Sequence, residues 1–252
     1  MIRNSLLLPV VGILLLVLAA CTPTPSPSLP DAHTGAPTPT ITPDSGTERT
    51  PPKKEKTIYA TDFTRDDTFW VIDPEDADGD SRVSGIEGGR FWISLSDLNH
   101  STYTTPNIDP RKIQTGEDFA VETKIKVMTT EDSGIPAGDQ WGGMVWDSFF
   151  NSDETETVAY FQIYNDGVFA ISSPGNNTDS ELHYLKEWTP SDAINPLGDN
   201  VLRIEWRSGI VHFFINGTEV FETPREKITY PGLVAGPGVG LGADYFRIEL
   251  IP

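Results

Sequence analysis

From Thr57 onward, apolar and polar positions alternate with period two through most of this chain, the pattern of strands buried on one face. Within 118–128, Phe119, Val121, Thr123, Ile125 and Val127 share one side, while Glu122, Lys124 and Lys126 take the other. In 200–207, Leu202, Ile204 and Trp206 alternate with Arg203, Glu205 and Arg207. In 158–164, Ala159, Phe161 and Ile163 form the apolar set opposite Tyr160, Gln162 and Tyr164. Asn165-Asp166-Gly167, Ser208-Gly209, Asn216-Gly217 and Glu87-Gly88-Gly89 mark hairpin turns, because Gly and Asn tolerate positive φ. Only Ser191-Asp192-Ala193-Ile194 suits a helical turn, and no repeat occurs at solenoid or propeller spacing. The pattern predicts an all-β domain of roughly a dozen strands. A two-sheet antiparallel sandwich buries their one-sided apolar faces.

The first fifty-odd residues read differently. One cation (Arg3), an apolar run over 6–18 and small residues ahead of Cys21 have the layout of an export signal. The run is short for a spanning helix and has no cationic flank behind it. The tetrad Leu18-Ala19-Ala20-Cys21 resembles the lipobox of bacterial lipoproteins. That resemblance implies diacylglyceryl attachment at the Cys21 sulfur and cleavage before it, hence an extracytoplasmic protein held to a membrane by lipid. Residues 1–20 are then signal peptide. Cys21 begins a Pro-, Thr- and Ser-rich tract up to residue 56, which has too little apolar surface to offset the entropy of ordering and reads as a tether. Residues 57–252 are the folded domain.

Net charge is -19. The leader carries one cation and no acid, and acids cancel bases in the tether, so the domain holds about twenty excess negative charges. Such a surface repels nucleic acid and anionic headgroups. Cys21 is the single cysteine, so no disulfide forms within one chain and the domain stands on its packed core.

The C-terminal half reads Trp188-Thr189-Pro190-Ser191, then Asn200-Val201-Leu202-Arg203-Ile204, Val211-His212-Phe213-Phe214-Ile215-Asn216-Gly217, Gly238-Val239-Gly240-Leu241 and Tyr245-Phe246-Arg247-Ile248. Upstream stand Ala60-Thr61-Asp62-Phe63, Phe69-Trp70, Gly88-Gly89-Arg90-Phe91 and Gly142-Gly143-Met144-Val145-Trp146 followed by Tyr160-Phe161. That order resembles the concanavalin A-like lectin/glucanase superfamily, especially its laminin-G-like and 3-keto-disaccharide hydrolase-like bacterial branch. The resemblance spans about residues 57–252 and implies a jelly roll whose concave sheet carries the ligand, commonly a glycan. One jelly roll hosts lectins, hydrolases and adhesion modules, so the fold alone names no activity.

Two sets of residues carry candidate chemistry. Asp76, Asp78, Asp80 and Glu87 stand at positions one, three, five and twelve of a loop, the oxygen donors of a Ca²⁺ site. Ser81 occupies the place usually held by Gly, and the flanks read as strands. The second set is a sugar platform. Tyr160, Gln162 and Tyr164 project together, Trp146 and Asp147 end the neighbouring strand, and His212 with Phe214 opposes Val211, Phe213 and Ile215. Met144 and Trp146 fit the core equally well. Catalysis has weaker support. The Glu-x-Asp-x-x-Glu strand of laminarinase-type glucanases, which sets two carboxylates on one face, is absent. His33, His100, His183 and His212 have no metal-ligand spacing, and no nucleophile elbow occurs. The expected function is polysaccharide or surface-glycan binding without catalysis, with a glycoside-active hydrolase and a structural envelope module as alternatives.

Overall fold

A computed structural model describes residues 56–65, 68–73, 82–96, 100–113, 116–129, 134–150, 156–172, 183–225 and 228–252. Among them are fourteen strands: β1 (Lys56–Thr61), β2 (Arg82–Glu87), β3 (Arg90–Leu95), β4 (Thr102–Thr104), β5 (Phe119–Thr129), β6 (Trp141–Phe150), β7 (Glu156–Tyr164), β8 (Val168–Ser172), β9 (Tyr184–Pro190), β10 (Asn200–Arg207), β11 (Ile210–Ile215), β12 (Thr218–Pro224), β13 (Gly232–Ala235) and β14 (Val239–Leu250). Residues 191–194 make a turn closed by Ile194 N–H donating to Ser191 O, not a helix. The described helical structure is two single 3₁₀ turns, Pro110–Lys112 and Ala137–Asp139.

The strands form two antiparallel sheets in a jelly-roll sandwich. The eight-stranded sheet runs β12-β11-β10-β5-β14-β3-β2, with β1 also on β14. β14 is long enough to serve two partners on one edge: its first half pairs β3 and its second half pairs β1. The six-stranded sheet runs β4-β13-β6-β7-β8-β9. Turn chemistry sets the hairpins. Gly88-Gly89, Ser208-Gly209 and Asn216-Gly217 all hold positive φ at both positions, the backbone of a two-residue hairpin whose twist matches its strands.

Each sheet turns one face inward. β5, β10, β11 and β14 send in Val121, Ile125, Leu202, Ile204, Val211, Phe213, Phe246 and Ile248. β6 and β7 answer with Met144, Trp146, Ala159, Phe161 and Ile163. Aromatic edges lock the sheets together: the Phe213 ring lies 5.4 Å from Trp146 and 5.3 Å from Phe161, both T-shaped. Such pairs add about 0.5–1.5 kcal/mol each beyond burial. A second aromatic group, in which Trp70 packs on Phe63, Phe91 and Phe246, lies within the same core. Its indole N–H donates to the Tyr59 hydroxyl at 2.7 Å.

Candidate functional site

Alternation along β7 leaves Tyr160, Gln162 and Tyr164 on the outer face of the six-stranded sheet, as expected. Both tyrosines and Gln162 are nonetheless buried. The reason lies next door. β6 sets Trp141 opposite Tyr164, Gly143 opposite Gln162 and Val145 opposite Tyr160, and β8 sets Ala170 on the other side of Gln162. The Trp141 ring packs 5.9 Å from Tyr160 and 6.4 Å from Tyr164. It also presses on Gly236, where a Cβ would stand 2.7 Å from the indole, so no larger residue fits there unless the ring moves. Val145, Val158, Tyr160 and Val234, with Tyr103 and Trp141, thus form a small apolar cluster outside the main core.

Gln162 is the exception in that cluster. It is 1 % exposed, flanked by a glycine and an alanine, and its Oε1 has no hydrogen-bond partner among the described residues. Leaving a buried acceptor unpaired costs about 1–3 kcal/mol. Tyr164 next to it is a neutral phenol: burial pushes its pKa up, and the Trp188 indole N–H beside its hydroxyl offsets only part of that rise.

β9 supplies the accessible part of the face. Trp188 is 55 % exposed and its ring lies 4.6 Å from half-buried Tyr184. Two register shifts between β8 and β9 bring these rings together although four positions separate them in sequence. At the end of the β6–β7 pair, Asn165 Nδ2 donates to Gln140 Oε1 at 3.1 Å and Gln140 Nε2 to Ile135 O at 2.8 Å. These bonds hold the ends of the strands that carry Trp141 and Tyr164.

The other expected residues go elsewhere. Trp146 leaves the platform by plain alternation, on the same inward face as Met144, while Asp147 leaves it because of a β-bulge: Val145 pairs Tyr160 and Asp147 pairs Ala159, so one residue is extra and Asp147 turns inward too. Trp146 is 1 % exposed in the main core and donates to Ser172 O at 3.1 Å. Asp147 is buried as a structural anchor. It accepts from the Arg225 guanidinium and, at Oδ1, from Thr229 N (3.0 Å) and Oγ1 (2.7 Å). His212 lies on the outer face of the eight-stranded sheet, a different surface from that of Tyr160. Glu87 closes β2, paired with Arg90. Five strand steps from Arg82 carry it about 17 Å along β2. Asp76, Asp78, Asp80 and Cys21 lie outside the described residues.

In the sequence Trp188 stands out only within the motif Trp188-Thr189-Pro190-Ser191, and Tyr184 not at all. No plain alternation marks them, because the register shifts set Tyr184 and Lys186 opposite the neighbouring residues Ser172 and Ile171, which face opposite ways. A separate groove of about 800 Å³ opens along β1 and β14, lined by Asp62, Thr64, Arg65, Phe69, Tyr245 and Arg247. It belongs to the eight-stranded sheet and adds nothing to the β7 face.

The outer face of the eight-stranded sheet carries a lattice of ion pairs, with Tyr245 and Phe214 set among the charges. Arg203 donates to Glu122, Glu205 and Glu249 at 3.1, 2.7 and 2.9 Å, Arg207 to Glu205 at 2.7 Å, and Arg247 to Glu122 at 2.7 Å. Burial pushes the Glu205 pKa up, but the hydrogen bonds and charges of Arg207 and Arg203 outweigh it and hold the carboxyl below its usual range.

No family model matches the chain, and no curated protein matches it by sequence. Its fold does match solved structures. One, from work on endo-acting O-glycanases with which members of the human gut microbiota initiate mucin breakdown, is 11% identical, covers 78% of this chain and 100% of its own, and has a TM-score of 0.53. The GlcNAcα1-4Gal-releasing endo-β-galactosidase from Clostridium perfringens is 14% identical, covers 81% of this chain and 65% of its own, with a TM-score of 0.52. A carbohydrate esterase of the Shiga toxin-encoding bacteriophage phi24B is 10% identical over 79% of this chain and 100% of its own, with a TM-score of 0.50. At these identities the likeness is one of fold: the chain folds as a two-sheet jelly-roll sandwich like theirs.

Proposed function

We propose that the domain binds glycan on the outer face of its six-stranded sheet, without catalysis. One observation carries the reading: exposed Trp188, packed on Tyr184, stands on β9, across β8 from a buried Gln162 whose amide oxygen has no partner among the described residues. Aromatic faces stack on the C–H faces of sugars, and a buried unpaired acceptor gains most from a ligand hydroxyl or amide N–H. The matched structures are described as carbohydrate-acting proteins, which supports a carbohydrate ligand. Along 141–145 and 158–164 the outward residues are Trp141, Gly143, Val145, Val158, Tyr160, Gln162 and Tyr164, with no carboxylate. That composition supports binding over hydrolysis by a facing carboxylate pair. The test is retention of the protein in gels cast with polysaccharides, mucin glycans included. Retention by at least one supports the reading; free migration in all of them overturns it.

The burial of Tyr160 and Tyr164 favours a second reading, a structural or interaction module whose outer face is a small core. Stable folding with no glycan retention would select it. In either case we propose that the domain is held outside the cytoplasm by lipid on Cys21. Incorporation of labelled fatty acid should be lost in Cys21→Ser; incorporation that survives the change contradicts the anchor.

A further inference from the structure

Beyond glycan binding, and independent of it, we propose that His212, Glu219 and Glu222 form a surface site for a divalent transition metal of the Zn²⁺ type. The three stand on the β11–β12 hairpin. His212 Nδ1 lies 3.0 Å from Glu219 Oε1 and 3.4 Å from Glu222 Oε2, and one donor atom from each residue falls within 4.8 Å of the others. Each ligand type suits Zn²⁺, and three protein ligands with one position left for water is a recurrent zinc arrangement. The imidazole nitrogen selects against Ca²⁺ and Mg²⁺, which take oxygen donors.

A bulge builds the site. His212 pairs Glu222 and Phe214 pairs Glu219, but the register shifts between Phe213 and Phe214, so Val220 is extra on β12. In a regular strand, residues three apart point to opposite faces. The inserted residue turns Glu219 to the same face as Glu222, beside the histidine. Sequence spacing hides this set, because its members sit on two strands and depend on the shift.

Charge balance is the second observation. Elsewhere on this face the carboxylates are matched: Arg203 serves Glu122, Glu205 and Glu249, Arg207 serves Glu205, and Arg247 serves Glu122. Glu205, which pairs His212 across the β10–β11 ladder, is therefore already neutralised and does not compete for it. Among the described residues, Glu219 and Glu222 have no lysine or arginine partner, and both converge on one nitrogen that offers at most one proton. A cation held between them relieves the repulsion of two carboxylates that otherwise crowd together.

The experiment is a calorimetric titration of Zn²⁺ into the full chain carrying Cys21→Ser, which removes the competing thiol, in chelator-free buffer with millimolar Ca²⁺ present. One saturable Zn²⁺ site is expected, weakened more than about tenfold by His212→Gln and by Glu222→Gln, and unchanged by His100→Gln and His183→Gln. Glu222 is exposed, so its variant reports binding even where the histidine variant folds poorly. No saturable site, a site removed by Ca²⁺, or a site untouched by both His212→Gln and Glu222→Gln would overturn the assignment.

Discussion

At the scale of single residues, Gln162 and Asp147 show how alike two polar positions look in sequence and how differently they end. Gln162 is buried with an unpaired oxygen; Asp147 is buried with every visible demand met by Arg225 and Thr229. Their substitutions should therefore move stability in opposite directions. Gln162→Met keeps the volume and removes the unpaired acceptor, so urea denaturation should find it unchanged or about 1 kcal/mol more stable, while glycan retention falls. Loss of stability with retention intact would mean that Gln162 is structural. Asp147→Ala strips a guanidinium and a buried N–H of their acceptor at once, and should cost about 3 kcal/mol with little change in ligand affinity. A loss below about 0.5 kcal/mol would mean that the anchor is incidental. The alternation of 158–164 made the face of Gln162 legible, and the shared parity of Met144 and Trp146 left the core open to Trp146, but nothing in the string Val145-Trp146-Asp147 marks the extra residue that swings Asp147 inward.

At the scale of elements, such register shifts are what the sequence hides. Periodicity reads correctly along β5, β7 and β10, where pairing is regular, and the Gly and Asn turns sit where positive φ requires them. It fails at the shifts in β6, β9 and β12, since one inserted residue reverses the face of every later position in its strand. His212 illustrates a second limit: alternation says that it points outward, not which sheet's outer face it joins. The charged face of β10, β5 and β14 carries its own prediction. For Asp244, burial pushes the pKa up, but hydrogen bonds from Lys124 and Arg90 outweigh it, so Asp244 and Glu205 both titrate below their ordinary values of 3.8 and 4.5. A carboxyl with a depressed folded-state pKa stabilises the fold above its unfolded pKa, and that contribution is lost as pH falls through the folded one. The free energy of unfolding should hold steady from neutral pH down to about 4.5, then drop as acid passes below 4. A Glu205→Gln variant should show a shallower acid drop. An identical drop would mean that the arginines on this face do not stabilise the fold through Glu205.

For the whole molecule, two sheets of one sandwich present two unlike outer surfaces. The eight-stranded sheet shows a lattice of arginines and glutamates, with His212, Glu219 and Glu222 toward one edge. The six-stranded sheet shows aromatics, with Gln162 set between Gly143 and Ala170 and Trp188 toward the opposite edge from β4. At the proposed glycan site on this aromatic surface, an acidic chain that repels anionic polymers would take a neutral saccharide without electrostatic cost. The measurement that bears most directly on glycan binding at this surface is side-by-side affinity electrophoresis of the wild-type protein and Trp188→Ala in the polysaccharide that retards the wild type most. Trp188 is exposed, so its truncation leaves the fold intact. Retardation is expected for the wild type, and a loss of affinity of roughly tenfold, about 1.4 kcal/mol, for the variant. Equal migration of the two proteins, retarded or free, would contradict a glycan site built around Trp188.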